Sequence, residues 1–224
     1  MRTSKIAGRE SLLLAGLIAA GLGGYAGWLE AGPYLGRGSS EVETIARIES
    51  GQLAPAMSQQ SHQQVATDCL TAASSLYFRT RPTAQRQAFA ARCQELLRAS
   101  VTAMPSFSFG WYVLAALDPV NDDFDALNRD LSNSQASGGA EQWIAELRVA
   151  LAEDYYDRLQ GEAREAESQD LATLVLSQRG VDGIAKRYVD DPGFRERITA
   201  IVENLPPEAQ ARFVGYVRLA AGQS

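Results

Sequence analysis

Two sets of carboxylates, one histidine, two cysteines and a short run of aromatic residues are the side chains here whose types and spacing bear on chemistry. Asp122, Asp123 and Asp125 fall in one predicted helix, and Glu146, Glu153 and Asp154 in another. A glycan-cleaving pair needs two carboxyls held about 5–9 Å apart across a groove. With 27 acidic residues in the chain, a solvated helix face is the commoner fate of such side chains. His62 has Ser61 and Asp68 nearby in sequence, but adjacent residues of a helix do not face each other, so it reads as a polar surface histidine. A single histidine and two cysteines make no zinc site. Neither GxxxxGK[ST] nor a strand-linked GxGxxG occurs. The sequence therefore assigns no catalytic residue, no metal ligand and no cofactor.

The cysteines carry more information. Arg81-Pro82-Thr83 reads as the turn of a helical hairpin, and Cys69 and Cys93 lie twelve residues to either side of Arg81. Equal distances from the turn of an antiparallel pair bring two residues to the same height. Each cysteine lies on the apolar stripe of its helix, with Val65, Ala72 and Leu76 on one and Phe89, Leu96 and Val101 on the other. A disulfide needs Cα atoms within about 7 Å, and the small neighbours Ala72, Ala73 and Ala90 permit that approach. In an oxidising compartment the expectation is a Cys69–Cys93 bond; in a reducing one, two buried thiols. Phe107, Phe109, Trp111 and Tyr112 crowd one short segment, either as the lining of a partner groove or as core.

The element that positions all of these is at the N-terminus. Ser11 to Leu29 is a run without charge behind a basic tail holding Arg2, Lys5 and Arg9. A helix of that length spans roughly 28 Å, the thickness of a bilayer's hydrocarbon. Cations beside a span stay cytoplasmic, so the expected layout is a cytoplasmic tail over 1–10, a transmembrane helix over 11–30, a flexible spacer over 31–40 and a periplasmic domain over 41–224. In this reading the protein is single-pass in a bacterial inner membrane. The other reading is a cleaved signal, with Gly24 and Ala26 at the cut, although the apolar run is long for one. Ala15, Ala19, Gly23 and Gly27 lie four apart on one face of the span, a spacing that lets helices pack closely against a second copy or a membrane partner.

Past the spacer every segment reads as helix: Glu41 to Glu49, Ala54 to Arg79, then one opened by Thr83 and another over Phe107 to Leu117. Asn121 is the expected cap of the next, Asn133 to Gly139 a loop, and Trp143 through Leu159 a long helix with Trp143 and Tyr155 in the core. Glu162 to Gln178 is helical with Gly180 and Gly183 as breakers. Asp191-Pro192 and Pro206-Pro207 open the last two helices. Sustained two-residue alternation is missing, so the fold class is all-α, a helical bundle or short solenoid.

Tyr77 and Trp111 are 34 residues apart, as are Leu97 and Leu131. Pro105 to Leu131, with Trp111, Leu114 and Ala115 in place, resembles a tetratricopeptide repeat unit, and the resemblance covers about residues 65–139. Cys93, Leu127 and Arg81 depart from the small residues of that pattern, and no third unit is evident. The resemblance implies a scaffold binding another protein's segment on a concave face.

Formal charge is −6; without the tail 18 basic residues face 26 acidic ones, which argues against nucleic acid and against docking on anionic lipid. Together these features predict a membrane-anchored periplasmic adaptor. Its partner would be an inner-membrane or periplasmic protein of cell-envelope or exopolysaccharide assembly, with self-association through the span. A glycan-cleaving enzyme and a periplasmic chaperone are the alternatives.

Overall fold

The computed structural model describes residues 3–35 and 40–222. Among them every regular element is helical. Two compact units divide the chain, Met1–Arg81 and Pro82–Ser224.

The first unit begins with α1 (Thr3–Leu35) and continues with α2 (Glu41–Glu49), α3 (Gln59–Ser74) and α4 (Leu76–Thr80). In α2 the Ser40 hydroxyl accepts the Glu43 amide at 3.3 Å, and the helix ends before Gly51, whose φ of 73° suits the residue without a Cβ. Ile45, Ile48 and Leu53 are its buried side chains and the residues beside it. The expected single helix over Ala54 to Arg79 is instead two. Pro55 keeps the preceding backbone extended, and Ser58 caps α3 by accepting the Ser61 amide at 3.1 Å. Ser75, at ψ 151°, then breaks the helix and caps α4 by accepting the Phe78 amide at 3.1 Å. The break turns Phe78 inward and leaves Leu76 and Tyr77 exposed.

The expected spacer over 31–40 is also partly structured. Helix α1 runs on to Leu35 through Pro33, which removes one backbone donor without ending the helix; residues 36–39 lie outside the described residues. Near the end of α1, Glu30 accepts the Ser58 amide at 3.3 Å and the Ser58 hydroxyl. One serine thus caps α3 and holds the end of α1.

The second unit contains α5 (Thr83–Ala103), α6 (Ser108–Leu117), α7 (Phe124–Gly138), α8 (Gln142–Asp154), α9 (Gly161–Leu176), α10 (Gly180–Asp190), α11 (Pro192–Val202) and α12 (Pro207–Ala221). Single 3₁₀ turns cover Asp118–Asn121 and Tyr156–Arg158. Helix α6 packs on α7, α8 and α7 on α9, and α10 on α12. One apolar cluster gathers Ala115, Leu127, Leu131, Ala152 and Leu159. A larger one gathers Val149, Leu174, Ile184, Phe194, Ile198 and Phe213.

Five expectations are corrected in this unit; the helix expected from Trp143 through Leu159 ends at Asp154, and only a 3₁₀ turn follows over Tyr156–Arg158. Asn121 belongs to the 3₁₀ turn, and Asp123 is the cap, accepting the Ala126 amide at 2.9 Å. Asn133 to Gly138 is not loop but the last turns of α7. Helix α9 stops at Ser177, so Gly180 opens α10 and Gly183 lies inside it. Trp143 is half exposed, because the buried stripe of α8 is Ile144, Ala145, Arg148, Val149 and Ala152. Asp191 does cap α11, accepting the Gly193 and Phe194 amides at 2.9 and 3.2 Å. Among the described residues no repeat is detected. Tyr77 and Trp111, 34 residues apart, sit on unlike elements, a five-residue helix and a ten-residue one.

Candidate functional site

Of the six acids selected by sequence, Asp122, Asp123, Asp125, Glu146 and Asp154 are exposed and only Glu153 has a buried side chain. Asp123 is a helix cap, and Glu146 accepts the Gln142 amide at 3.1 Å. His62 is half-buried on α3; burial lowers its pKa, while Glu30 and the backbone at Ala56 act the other way. Among the described residues no three His, Cys, Asp or Glu side chains are grouped to hold a metal.

The ionic chemistry of the second unit lies elsewhere, in three interior networks. Arg148 is 2% exposed and forks onto Asp170, with Nε–Oδ2 and Nη2–Oδ1 both 2.6 Å. Its remaining donors reach the Ser108 and Ser134 hydroxyls at 3.3 Å and the Gly138 carbonyl at 3.4 Å. The two serines close on each other, Ser108 Oγ donating to the Ser134 carbonyl at 2.8 Å and Ser134 Oγ to the Ser108 carbonyl at 2.9 Å. One guanidinium therefore joins α6, α7, α8 and α9. This is why α7 persists through Ser134 to Gly138, where a Cβ would stand 2.5 Å from Ser108.

The second network couples α8, α9, α10 and α11. Glu153 accepts Arg197 Nη2, and Arg187 Nη1 lies 3.8 Å away. Beside it the Glu167 carboxyl is pushed up to about 8 by burial, then by the hydrogen bond and charge of Glu153, with Arg197 opposing. Oε1 of each glutamate is buried and finds no protein donor. A proton on Glu167, donated to Glu153, satisfies that arrangement. Arg197 also covers the Tyr156 ring, 3.8 Å from its centroid.

In the third network Asp118 and Asp130 are both fully buried. Arg98 Nη2 lies 3.4 Å from Asp130 and 3.9 Å from Asp118, Gln94 donates to Asp118 at 2.7 Å, and Arg129 Nε donates to Asp130 at 3.0 Å. Burial, and then Asp130, push Asp118 up to about 7 against Arg98 and Gln94.

These acids interact in pairs, Asp118 with Asp130 and Glu167 with Glu153, and their side chains are buried. Asp118 and Asp130 have no exposed surface, Glu153 has 1% and Glu167 5%. The void beside Arg148, Glu167 and Asp170 is about 10 Å³, about one water. Sequence reasoning passed over Arg148, Glu167 and Asp170. Their signal was present: each falls in the apolar register of its helix, Arg148 between Ala145 and Val149, and the two acids between Ala166 and Leu171.

The aromatic run resolves toward core. Phe107, Phe109 and Tyr112 are buried and do not line a groove. Phe109 stacks on Tyr112 at 6.0 Å, meets Phe107 at 6.4 Å and carries the half-exposed Trp143 at 5.2 Å. Burial, with Asp154 adding, pushes the Tyr112 hydroxyl up to about 12. Trp111 is half-buried and donates its indole N–H to the Pro105 carbonyl at 3.0 Å. The reason is chemical: α6 is apolar on nearly all sides, so it sinks into the unit.

What remains on the surface is α1. Leu12–Gly32 is one helix long and apolar enough to cross a membrane. Leu12, Leu17 and Trp28 are each at least 70% exposed. Ala15, Ala19, Gly23 and Gly27 are exposed too, and a Cβ on either glycine would meet nothing within 4 Å. Among the described residues no cysteine is a free thiol. Comparison with protein-family models, with curated proteins and with solved structures yields no match for the chain.

Proposed function

We propose that this chain is a membrane-anchored helical adaptor, N-terminus in the cytoplasm and helical body in the periplasm, that holds a partner protein of a cell-envelope or exopolysaccharide assembly machine. The observation that carries the reading is the exposed apolar surface of α1: several large side chains more than half exposed along one helix need lipid or protein around them. The tail's cations support a cytoplasmic N-terminus. That neither cysteine is a free thiol supports an oxidising side for the body. The acids that pair are sealed from solvent, which favours a binding role over glycan cleavage. Self-association through Ala15, Ala19, Gly23 and Gly27 belongs to the same reading.

A reporter fused after Ser224, combined with purification in mild detergent, tests it. The expected result is a periplasmic signal, no titratable thiol without reductant, and a co-purifying envelope protein. A cytosolic signal with two free thiols overturns the topology, and a partnerless monomer overturns the adaptor role.

A further inference from the structure

A cleft of about 330 Å³ opens in the second unit between α8, the end of α9 and the first turns of α10. Its floor is apolar, formed by the buried side chains of Val149, Leu174 and Ile184. Arg179 and Arg187 line it together with Glu146 of α8. Arg187 is anchored, its guanidinium 3.8 Å from Glu153 and 5.8 Å from the centroid of the Phe194 ring. Arg179 is exposed and its side chain makes no ion pair or hydrogen bond among the described residues.

Two glycines line the same cleft, and packing explains only one. A Cβ on Gly180 would stand 2.8 Å from the Leu174 carbonyl oxygen, so α10 can start against the end of α9 only with glycine there. A Cβ on Gly183 would meet nothing within 4 Å. Glycine inside a helix weakens it relative to alanine, and the fold gains nothing from this one. What the bare backbone at Gly183 does is keep the cleft wide.

The geometry points to a docking site for a partner polypeptide segment that carries an apolar side chain and a carboxylate. The apolar group seats on Val149, Leu174 and Ile184, and the carboxylate pairs with Arg179 and Arg187. Charge complementarity selects the occupant: two cations against one anion line this cleft in a chain whose net charge is −6. Its volume sits at the bottom of the range for small-molecule pockets, room for one or two side chains. The inference rests on the adaptor reading and names the chemistry of the partner.

The test uses the full chain in lipid nanodiscs and three fluorescein-labelled helical peptides of equal length, built from Leu and Glu, Leu and Gln, or Ser and Glu. Anisotropy should show the Leu/Glu peptide binding at least about tenfold tighter than either control. Gly183→Leu, which fills the cleft, and Arg179→Glu, which reverses its charge, should each weaken that binding about tenfold. Helix content by circular dichroism should hold, and Gly183→Leu should unfold no earlier than the parent. Equal binding of the three peptides, or unchanged binding by both variants, overturns the proposal. An envelope partner retained equally by the parent and both variants leaves the adaptor reading standing and removes the cleft from it. Cleft-dependent peptide binding with no retrievable partner does the reverse.

Discussion

A carboxyl that keeps its proton at neutral pH makes the folded state answer to pH. Glu167 titrates at about 8 in the fold and near 4.5 when free. Between those values the folded chain holds a proton that the unfolded chain has released, so stability falls as pH rises. The contribution is whole below about 4.5 and is lost as pH passes about 8, with a slope of at most about 1.4 kcal/mol per pH unit. Asp118 adds a second such proton up to about pH 7. In Glu167→Gln the amide donates to Glu153 at every pH. Urea midpoints for this variant should fall less between about pH 5 and 9 than those of the parent, and parallel slopes would remove the shared proton. The Arg148 fork differs in kind: it is an ion pair sealed from solvent, in which burial raises the Asp170 carboxyl and the hydrogen bond and charge of Arg148 oppose that rise. Arg148→Met leaves Asp170 buried without its cation, and a loss of about 3–5 kcal/mol is expected in urea unfolding. Adding Asp170→Leu should recover most of it. A loss under about 1 kcal/mol for the single variant would mean that the network contributes little. None of this was legible from residue types alone. Burial in water-excluded surroundings is what turns Glu167 and Asp170 from solvated acids into structural ones, and sequence does not state a depth.

Helices were the legible element, because apolar spacing, serine and aspartate caps and proline starts act within a few residues. Asp191-Pro192, Pro206-Pro207 and the turn at Arg81-Pro82-Thr83 lie where local chemistry requires. The misreadings came where a distant partner overrode local preference. The Ser- and Gly-rich end of α7 is helical because Ser134 and Gly138 meet Ser108 and Arg148. The end of α1 is helical past Gly32 and Pro33, near where Glu30 finds Ser58. On the same helix the face at Gly23 is bare, and under the proposed anchoring it is open to a second helix. Gly23→Ile should lower self-association several-fold in a bilayer reporter assay, with insertion unchanged; an unaltered signal would leave the small residues as ordinary span composition.

At the scale of the whole molecule, two compact units and one long apolar helix set how the protein behaves in solution. The full chain should be monodisperse only with detergent or lipid, and removing residues 3–35 should abolish that requirement in size-exclusion chromatography. Dispersal of the full chain in plain buffer would contradict the anchor. The sequence by itself determined that every described segment is helical, that one helix is long and apolar enough for a bilayer, and that the cysteines stand at matched distances from a turn. These follow from periodicity, length and spacing, which are properties of the chain read locally. Only the tertiary structure decided that Phe107, Phe109 and Tyr112 are core, that Arg148, Glu167 and Asp170 are interior, and that Gly183 lines a cleft with Arg179 and Arg187. Those outcomes depend on which faces of separate helices meet. The energy that selects among faces comes from water excluded between residues tens of positions apart.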